Sequence, residues 1–253
     1  VTSLATLYAS MVKREVASRS QLSRVNPMVI VLDLGHGGQD PGAVGFGLEE
    51  KDVVLTLGRQ VLSFLEDYQV KVIPTRTSDV YVSLDARADL ANQHKADFFC
   101  SLHVNSGGGS GFESYIHPAA SQESQSIAAT LHREVVKFYL GRGFPDRGLK
   151  RANFAVLRKT KMPAVLLENL FIDNPRDAAY LADAVFLRDL AFAITGGLAR
   201  ALGLKKRTGW DPGEEIKRLK ERGLITGDHA PNAAVTWGEL ATVLNRLLDR
   251  IEK

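Results

Sequence analysis

Three polar side chains stand where apolar runs stop. His36 comes after Val29-Ile30-Val31-Leu32, His103 after Ala96-Asp97-Phe98-Phe99-Cys100-Ser101-Leu102, and Glu168 after Ala164-Val165-Leu166-Leu167. A fourth, Glu50, opens an amphipathic segment just past a glycine-rich loop. Two histidines and two glutamates so placed can surround one metal ion. In an open α/β sheet, ligands bind at the carboxyl ends of the strands. Two histidines and a carboxylate with a free fourth position form a hydrolytic zinc site, and a second glutamate can act as its general base. Each residue has a blander reading. A lone histidine is more often structural than a ligand. A glutamate at a helix start commonly serves the helix dipole. The ligands are also scattered, unlike a compact HExxH pair. Glu168 is the sharper anomaly, because a carboxylate after four apolar residues is costly to bury unless paired; a structural salt bridge is its competing explanation.

The elements that must position these groups follow from pattern. Residues 29–34 read as a fully buried strand, short, β-branched and ended by glycine. Residues 35–42 form a loop in which glycine permits positive φ. From Glu50 to about Tyr68 the apolar positions Val53, Val54, Leu57, Val61, Leu62 and Leu65 keep helical spacing. A strand is expected at Val70–Thr75, a helix near Leu84–His94, then the strand leading to His103. Phe112–His117 alternates like a strand, and Gln122–Tyr139 reads as a long helix. A short strand near Ala155–Leu157 precedes the one carrying Glu168, and helices near Asp177–Leu181 and Ala184–Leu202 follow. Strands alternating with helices predict an α/β fold: a mostly parallel twisted sheet with helices on both faces.

Composition bounds the function. The chain has 253 residues, 45% of them hydrophobic and 24% charged, as in ordinary globular proteins. Its net charge of +3 is too small to argue for nucleic acid and suits an anionic polymer such as a bacterial wall. One cysteine, Cys100, excludes an intrachain disulfide and reads as a small buried hydrophobe. No run reaches the ~18–20 apolar residues of a transmembrane helix, so no membrane partner is expected. The glycine-rich loops form neither GxGxxG nor a P-loop pattern, which argues against nucleotide binding.

Residues 29–203 closely resemble the zinc-dependent N-acetylmuramoyl-L-alanine amidases shared by bacterial autolysins and phage endolysins. The resemblance rests on Asp33-Leu34-Gly35-His36-Gly37-Gly38-Gln39-Asp40-Pro41-Gly42-Ala43, Leu48-Glu49-Glu50-Lys51-Asp52, Thr75-Arg76-Thr77-Ser78-Asp79 and Ser83-Leu84-Asp85-Ala86-Arg87. It continues through Ala91-Asn92, Ala96-Asp97, Ser101-Leu102-His103-Val104-Asn105 and Met162-Pro163-Ala164-Val165-Leu166-Leu167-Glu168, all in family order. The resemblance implies one zinc ion on His36, Glu50 and His103, with Glu168 as catalytic carboxylate. Spacing alone does not separate Glu49 from Glu50; the family pattern selects Glu50. The implied reaction cuts the amide between N-acetylmuramic acid and L-alanine in peptidoglycan. A related zinc peptidase or deacylase, or a non-catalytic wall-binding protein, are the competing functions.

One departure stands out. After the catalytic glutamate the family has a small residue, then glycine and phenylalanine, whereas this chain has Asn169-Leu170-Phe171. Asn105 is expected to touch substrate or to fix its loop. Arg76 and Arg87 are expected to hold structural ion pairs. His94, His117, His132 and His229 are expected to be surface or structural.

The expected domains are an N-terminal extension (1–27), the catalytic domain (28–204) and a linker with a small helical unit (205–253). Glu214–Arg222 and Thr236–Leu248 read as helices joined by the turn-rich Gly227–Asn232. Residues 216–227 and 235–240 resemble part of an S-layer-homology-like wall-binding repeat, so this unit is expected to bind cell wall or to pair with a second copy. Residues 1–27 lack the apolar core of a secretion signal. This favours a phage or prophage endolysin, held in the host cytoplasm until lysis and then acting on the wall; a spore or sporulation lysin and an exported autolysin are the alternatives.

Overall fold

A computed structural model describes residues 27–207 and the short stretches 219–220, 224–225 and 242–243. The chain divides into two compact units, Val1–Lys205 and Lys206–Lys253. The expected extension, except Pro27, and most of the expected C-terminal helices lie outside the described residues, as does His229.

The elements run β1 (Met28–Leu34), β2 (Val44–Gly45), β3 (Leu48–Glu49), α1 (Glu50–Leu65), β4 (Val70–Pro74), α2 (Leu84–Gln93), β5 (Phe98–Asn105) and β6 (Phe112–Ile116). They continue with α3 (Gln122–Leu140), β7 (Asp146–Arg151), α4 (Ala155–Lys159), β8 (Ala164–Phe171), α5 (Pro175–Leu181) and α6 (Ala184–Leu202). Six strands form one sheet in the order β4-β1-β5-β8-β6-β7. β4, β1, β5 and β8 are parallel to one another, while β6 runs antiparallel to β8 and parallel to β7. The fold is therefore α/β with a mostly parallel, mixed sheet between helical layers.

Capping fixes where the helices begin. Ser83 and Ser121 accept backbone N–H bonds at the starts of α2 and α3, Asn174 accepts two ahead of Pro175, and Asp183 accepts one at the start of α6. Gly203, at φ 64°, ends α6 in the left-handed conformation.

Strand alternation sorts the core into two layers. Ile30, Leu32, Leu34, Leu102 and Leu167 face the larger one, built with α1, α3 and α6. Val31, Phe99 and Leu166 face the smaller one, closed by Ala91 of α2 and Val156 and Leu157 of α4. On that second face the apolar side chains give way to polar ones toward the carboxyl ends of β1, β5 and β8. First come Asp33 and Ser101, then His103 and Glu168. The chain passes from β1 to β4 on one side and to β5 on the other, so the reversal of strand order opens a crevice between β1 and β5.

The polar row is secured by charge. Asp33 is fully buried and pairs with Arg87 at 2.8 Å; it also accepts from Thr75 Oγ1 (2.8 Å) and Ser101 Oγ (2.6 Å). Removing one partner of a buried pair strands the other. Arg87→Ala is expected to lower unfolding free energy by about 3–5 kcal/mol, measured by urea denaturation of the metal-free protein.

One local expectation is corrected. Ala155–Leu157 begins a helical turn, α4, not a strand; three consecutive apolar residues carry no period that separates the two. β7 and the two-residue pairing of β2 with β3 were not anticipated.

Candidate metal centre

His36 lies in the turn after β1, His103 in β5 and Glu50 at the first position of α1. The fold brings their ligand atoms within 4.8 Å of one another. His36 Nε2 is 3.2 Å from Glu50 Oε2, and His103 Nδ1 is 2.8 Å from Glu50 Oε1. Tetrahedral zinc with bonds of about 2.0–2.1 Å places its ligand atoms about 3.3 Å apart. The 3.2 and 2.8 Å separations from the carboxylate lie close to that spacing, and two imidazole nitrogens with one carboxylate are a donor set suited to zinc. Glu49 points elsewhere: it is 44% exposed and pairs with Lys51 at 3.3 Å.

Each of the three groups is aimed by its surroundings. Asp40 Oδ2 accepts from His36 Nδ1 at 2.9 Å, which turns Nε2 toward Glu50, where it donates to the carboxylate without metal and would offer its lone pair to a bound ion. The Glu50 carboxylate accepts the backbone N–H groups of Ala43 and Val104, both at 2.9 Å. His36 itself sits at φ 60°, a conformation non-glycine residues adopt only when held. The holding is visible: Arg87 donates to the His36 and Leu34 carbonyls, and Arg76 donates to those of Leu34, Gly35, Ser78 and Lys51. Arg87 thus forms the expected ion pair, whereas Arg76 braces carbonyl groups of the site loops.

Electrostatics tie the three together. Burial opposes charge on Glu50, yet the hydrogen bonds from His103 and His36 hold its carboxyl well below the usual range. Burial likewise opposes a charged His103, but the hydrogen bond and charge of Glu50 outweigh it and raise its pKa to about 9. Without metal, protons on the histidines balance the buried carboxylate.

Glycines let these groups approach one another. A Cβ on Gly35 would lie 2.4 Å from His103 Cε1, and one on Gly42 2.6 Å from both Glu50 Oε2 and His36 Cδ2. Gly35→Ala is therefore expected to displace the His103 ring and weaken zinc binding by about 10–100-fold with the fold retained. Competition against a chromophoric chelator measures this.

Glu168 stands opposite His103 in the β5–β8 register. Its Oε2 is buried and accepts no hydrogen bond among the described residues, so the competing salt-bridge reading finds no support. Burial pushes its pKa up to about 7; His103 opposes the rise, and the charges of Glu50 and Glu113 add to it. A buried oxygen without a donor, and a proton affinity near neutrality, are the properties of a general acid–base group.

Sequence reasoning missed Glu113. It lies opposite Glu168 across the β6–β8 pair and is 3% exposed. Burial opposes its ionisation, but Lys150, Arg147, Tyr115 and Asn105 all donate to it and bring its pKa down to about 2. Asn105, expected to touch substrate or fix its loop, donates to Glu113 at 2.5 Å. The other described histidines stay outside the centre. His132 is buried and bridges Ser114 and Asp146, and His117 bonds Asn153.

The Asn169-Leu170 departure also acquires a physical account. Asn169 is fully buried, donating to the His103 carbonyl at 3.0 Å and accepting from Tyr139 Oη at 2.9 Å. Leu170 adopts φ 65° with its side chain buried. Leucine therefore takes the left-handed conformation that glycine would take freely, and apolar burial offsets a cost of about 1–2 kcal/mol.

Known proteins share this architecture. Residues 30–200 match the model of the family described as N-acetylmuramoyl-L-alanine amidase. The sporulation-specific N-acetylmuramoyl-L-alanine amidase of Bacillus subtilis is 48% identical over 179 residues, covering 70% of this chain and 69% of that protein. The endolysin of Bacillus phage SPP1 is 46% identical over 185 residues, covering 72% of this chain and 68% of that protein. Among solved structures, the catalytic domain of the amidase CwlV from Bacillus (Paenibacillus) polymyxa superposes with a TM-score of 0.66 at 35% identity. That match covers 70% of this chain and 99% of the other. This chain belongs to the N-acetylmuramoyl-L-alanine amidase family and is an amide-bond hydrolase.

Proposed function

We propose that the protein hydrolyses the amide between N-acetylmuramic acid and L-alanine in peptidoglycan, using one zinc ion on His36, Glu50 and His103 and Glu168 as general base. The convergence of the three ligand groups, with the unpartnered Glu168 oxygen on the next strand, carries the reading. Zinc in such a site supplies a water of pKa about 7 and polarises the scissile carbonyl. Glu168 Oε2 takes the proton from the attacking water and passes it to the departing alanine nitrogen. Asp40 keeps the His36 tautomer fixed. The backbone N–H groups of Ala43 and Val104 keep the Glu50 carboxylate in place.

The test is digestion of purified peptidoglycan by the zinc-loaded protein, followed by labelling of newly exposed amines. The expected result is new N-terminal alanine, intact glycan strands, and loss of release with a chelator. A different new amino terminus would keep the hydrolase and move the cut.

The setting we propose is lytic, of the phage endolysin type, with release from the host cytoplasm to the wall; the likeness to the SPP1 endolysin supports it. The sporulation-specific relative supports a second reading, and comparing rates on vegetative wall and on spore cortex separates them. Lys206–Lys253 is proposed to bind wall or to dimerise. Co-sedimentation of the full chain with insoluble wall, and its mass in solution, test the two roles.

A further inference from the structure

Beside the proposed base lies a cationic cluster that the mechanism does not use. Glu113 stands directly opposite Glu168, on the sheet face that also carries His103. Its carboxylate is already saturated. Oε1 accepts from Asn105 Nδ2 and Tyr115 Oη, and Oε2 accepts from Arg147 Nε at 2.8 Å and from Lys150 Nζ. One buried carboxylate needs one cation; here two converge on one oxygen. Arg147 and Lys150 are 36% and 38% exposed, against 4% for the Glu113 side chain. The cluster thus presents one surplus positive charge at the surface. Arg147 is also held in position: its guanidinium lies over the Phe171 ring, 4.8 Å from the centroid. Among the described residues it uses only Nε on Glu113.

Position relates this charge to the cut. β7, which carries both cations, is two strands from β8, which carries Glu168. Neighbouring strands are about 4.8 Å apart, so the backbone of β7 lies about 10 Å from that of β8, and the charged groups, which reach inward to the Glu113 carboxylate, stand no farther than this from the base. An extended peptide advances about 3.3–3.6 Å per residue, which makes that distance about three residues.

We propose that Arg147 and Lys150, anchored by Glu113, form a subsite for a carboxylate on the second or third residue of the peptide released by cleavage. The proposal rests on the amidase reading above. The two cations set specificity by holding the peptide, and they take no part in proton transfer. Charge-assisted hydrogen bonds from a planar guanidinium and an ammonium suit a carboxylate.

The test uses two synthetic muramoyl-tripeptides that differ only in whether the carboxylates at residues two and three are free or amidated. The zinc-loaded full chain is expected to favour the free acid by about tenfold in kcat/KM, mainly through KM. In the double variant Arg147→Gln/Lys150→Gln the ratio of the two substrates falls to about one. Arg147→Lys keeps part of it. Arg133→Gln, which removes an exposed charge on α3, leaves the ratio unchanged. Equal wild-type rates on the two substrates would overturn the subsite, as would an unchanged ratio in the double variant. A uniform loss on both substrates with the ratio preserved would assign the cations a structural role and overturn it too. Cleavage of neither substrate by the wild type would reject the amidase reading itself, an outcome distinct from cleavage without discrimination.

Discussion

Glu168→Gln is expected to lower turnover by about 10²–10⁴-fold while zinc content stays at the wild-type level. The substitution keeps size and removes the proton-accepting oxygen. Glu168 faces His103 across the β5–β8 register yet lies outside the group of three converging ligands, so the metal site should survive its neutralisation. Its Oε2 accepts no hydrogen bond among the described residues, and unfolding midpoints of the variant should match those of the wild type. Turnover on a muramoyl-peptide, read beside metal analysis of the same sample, checks the prediction. Near-normal activity would remove Glu168 from the reaction.

His36→Ala is expected to do the reverse, losing the metal and, with it, activity by more than about a hundredfold. Chelation of the wild type should give the same loss, restored by added zinc. The metal-free state has its own pH signature. Glu50 is 3% exposed and relies on the two imidazoles as partners. His103 has its folded pKa raised from 6.5 to about 9. A raised histidine pKa contributes stability that is full below the unfolded value and disappears as pH rises through the folded one. Metal-free protein should therefore lose stability between about pH 6.5 and 9, whereas the zinc-loaded form should hold over that window, because zinc replaces the protons. Thermal unfolding with and without chelator across these pH values shows the divergence.

Much of this arrangement was legible in the residues. β1, β5 and β8 announce themselves as buried runs, and a polar group at the end of such a run stands out against desolvation cost. That argument found His36, His103 and Glu168. Applied equally to Asp33, which follows four apolar residues and is fully buried, it would have found the Arg87 pair as well. Glu50 and Glu49 could not be separated by local spacing, because which of two adjacent side chains turns inward depends on how α1 leaves the β2–β3 hairpin.

Glu113 escaped for a related reason. In an alternating strand a glutamate ordinarily faces water, and only the register with Glu168 reveals that this one is enclosed. β7, Asp146-Arg147-Gly148-Leu149-Lys150-Arg151, has no apolar alternation. It exists as a strand because it pairs with β6 at the sheet edge, a tertiary effect that no local pattern carries. The short apolar stretch at Ala155–Leu157 gave the opposite error, since length and not hydrophobicity decides between strand and helix there.

The most direct measurement is anomalous diffraction at the zinc edge from crystals of the zinc-loaded protein. The account predicts one peak bonded to His36 Nε2, His103 Nδ1 and the Glu50 carboxylate, with Glu168 unbonded beside it. A peak on other residues, or one ligated by Glu168, would contradict the assignment of ligands and base.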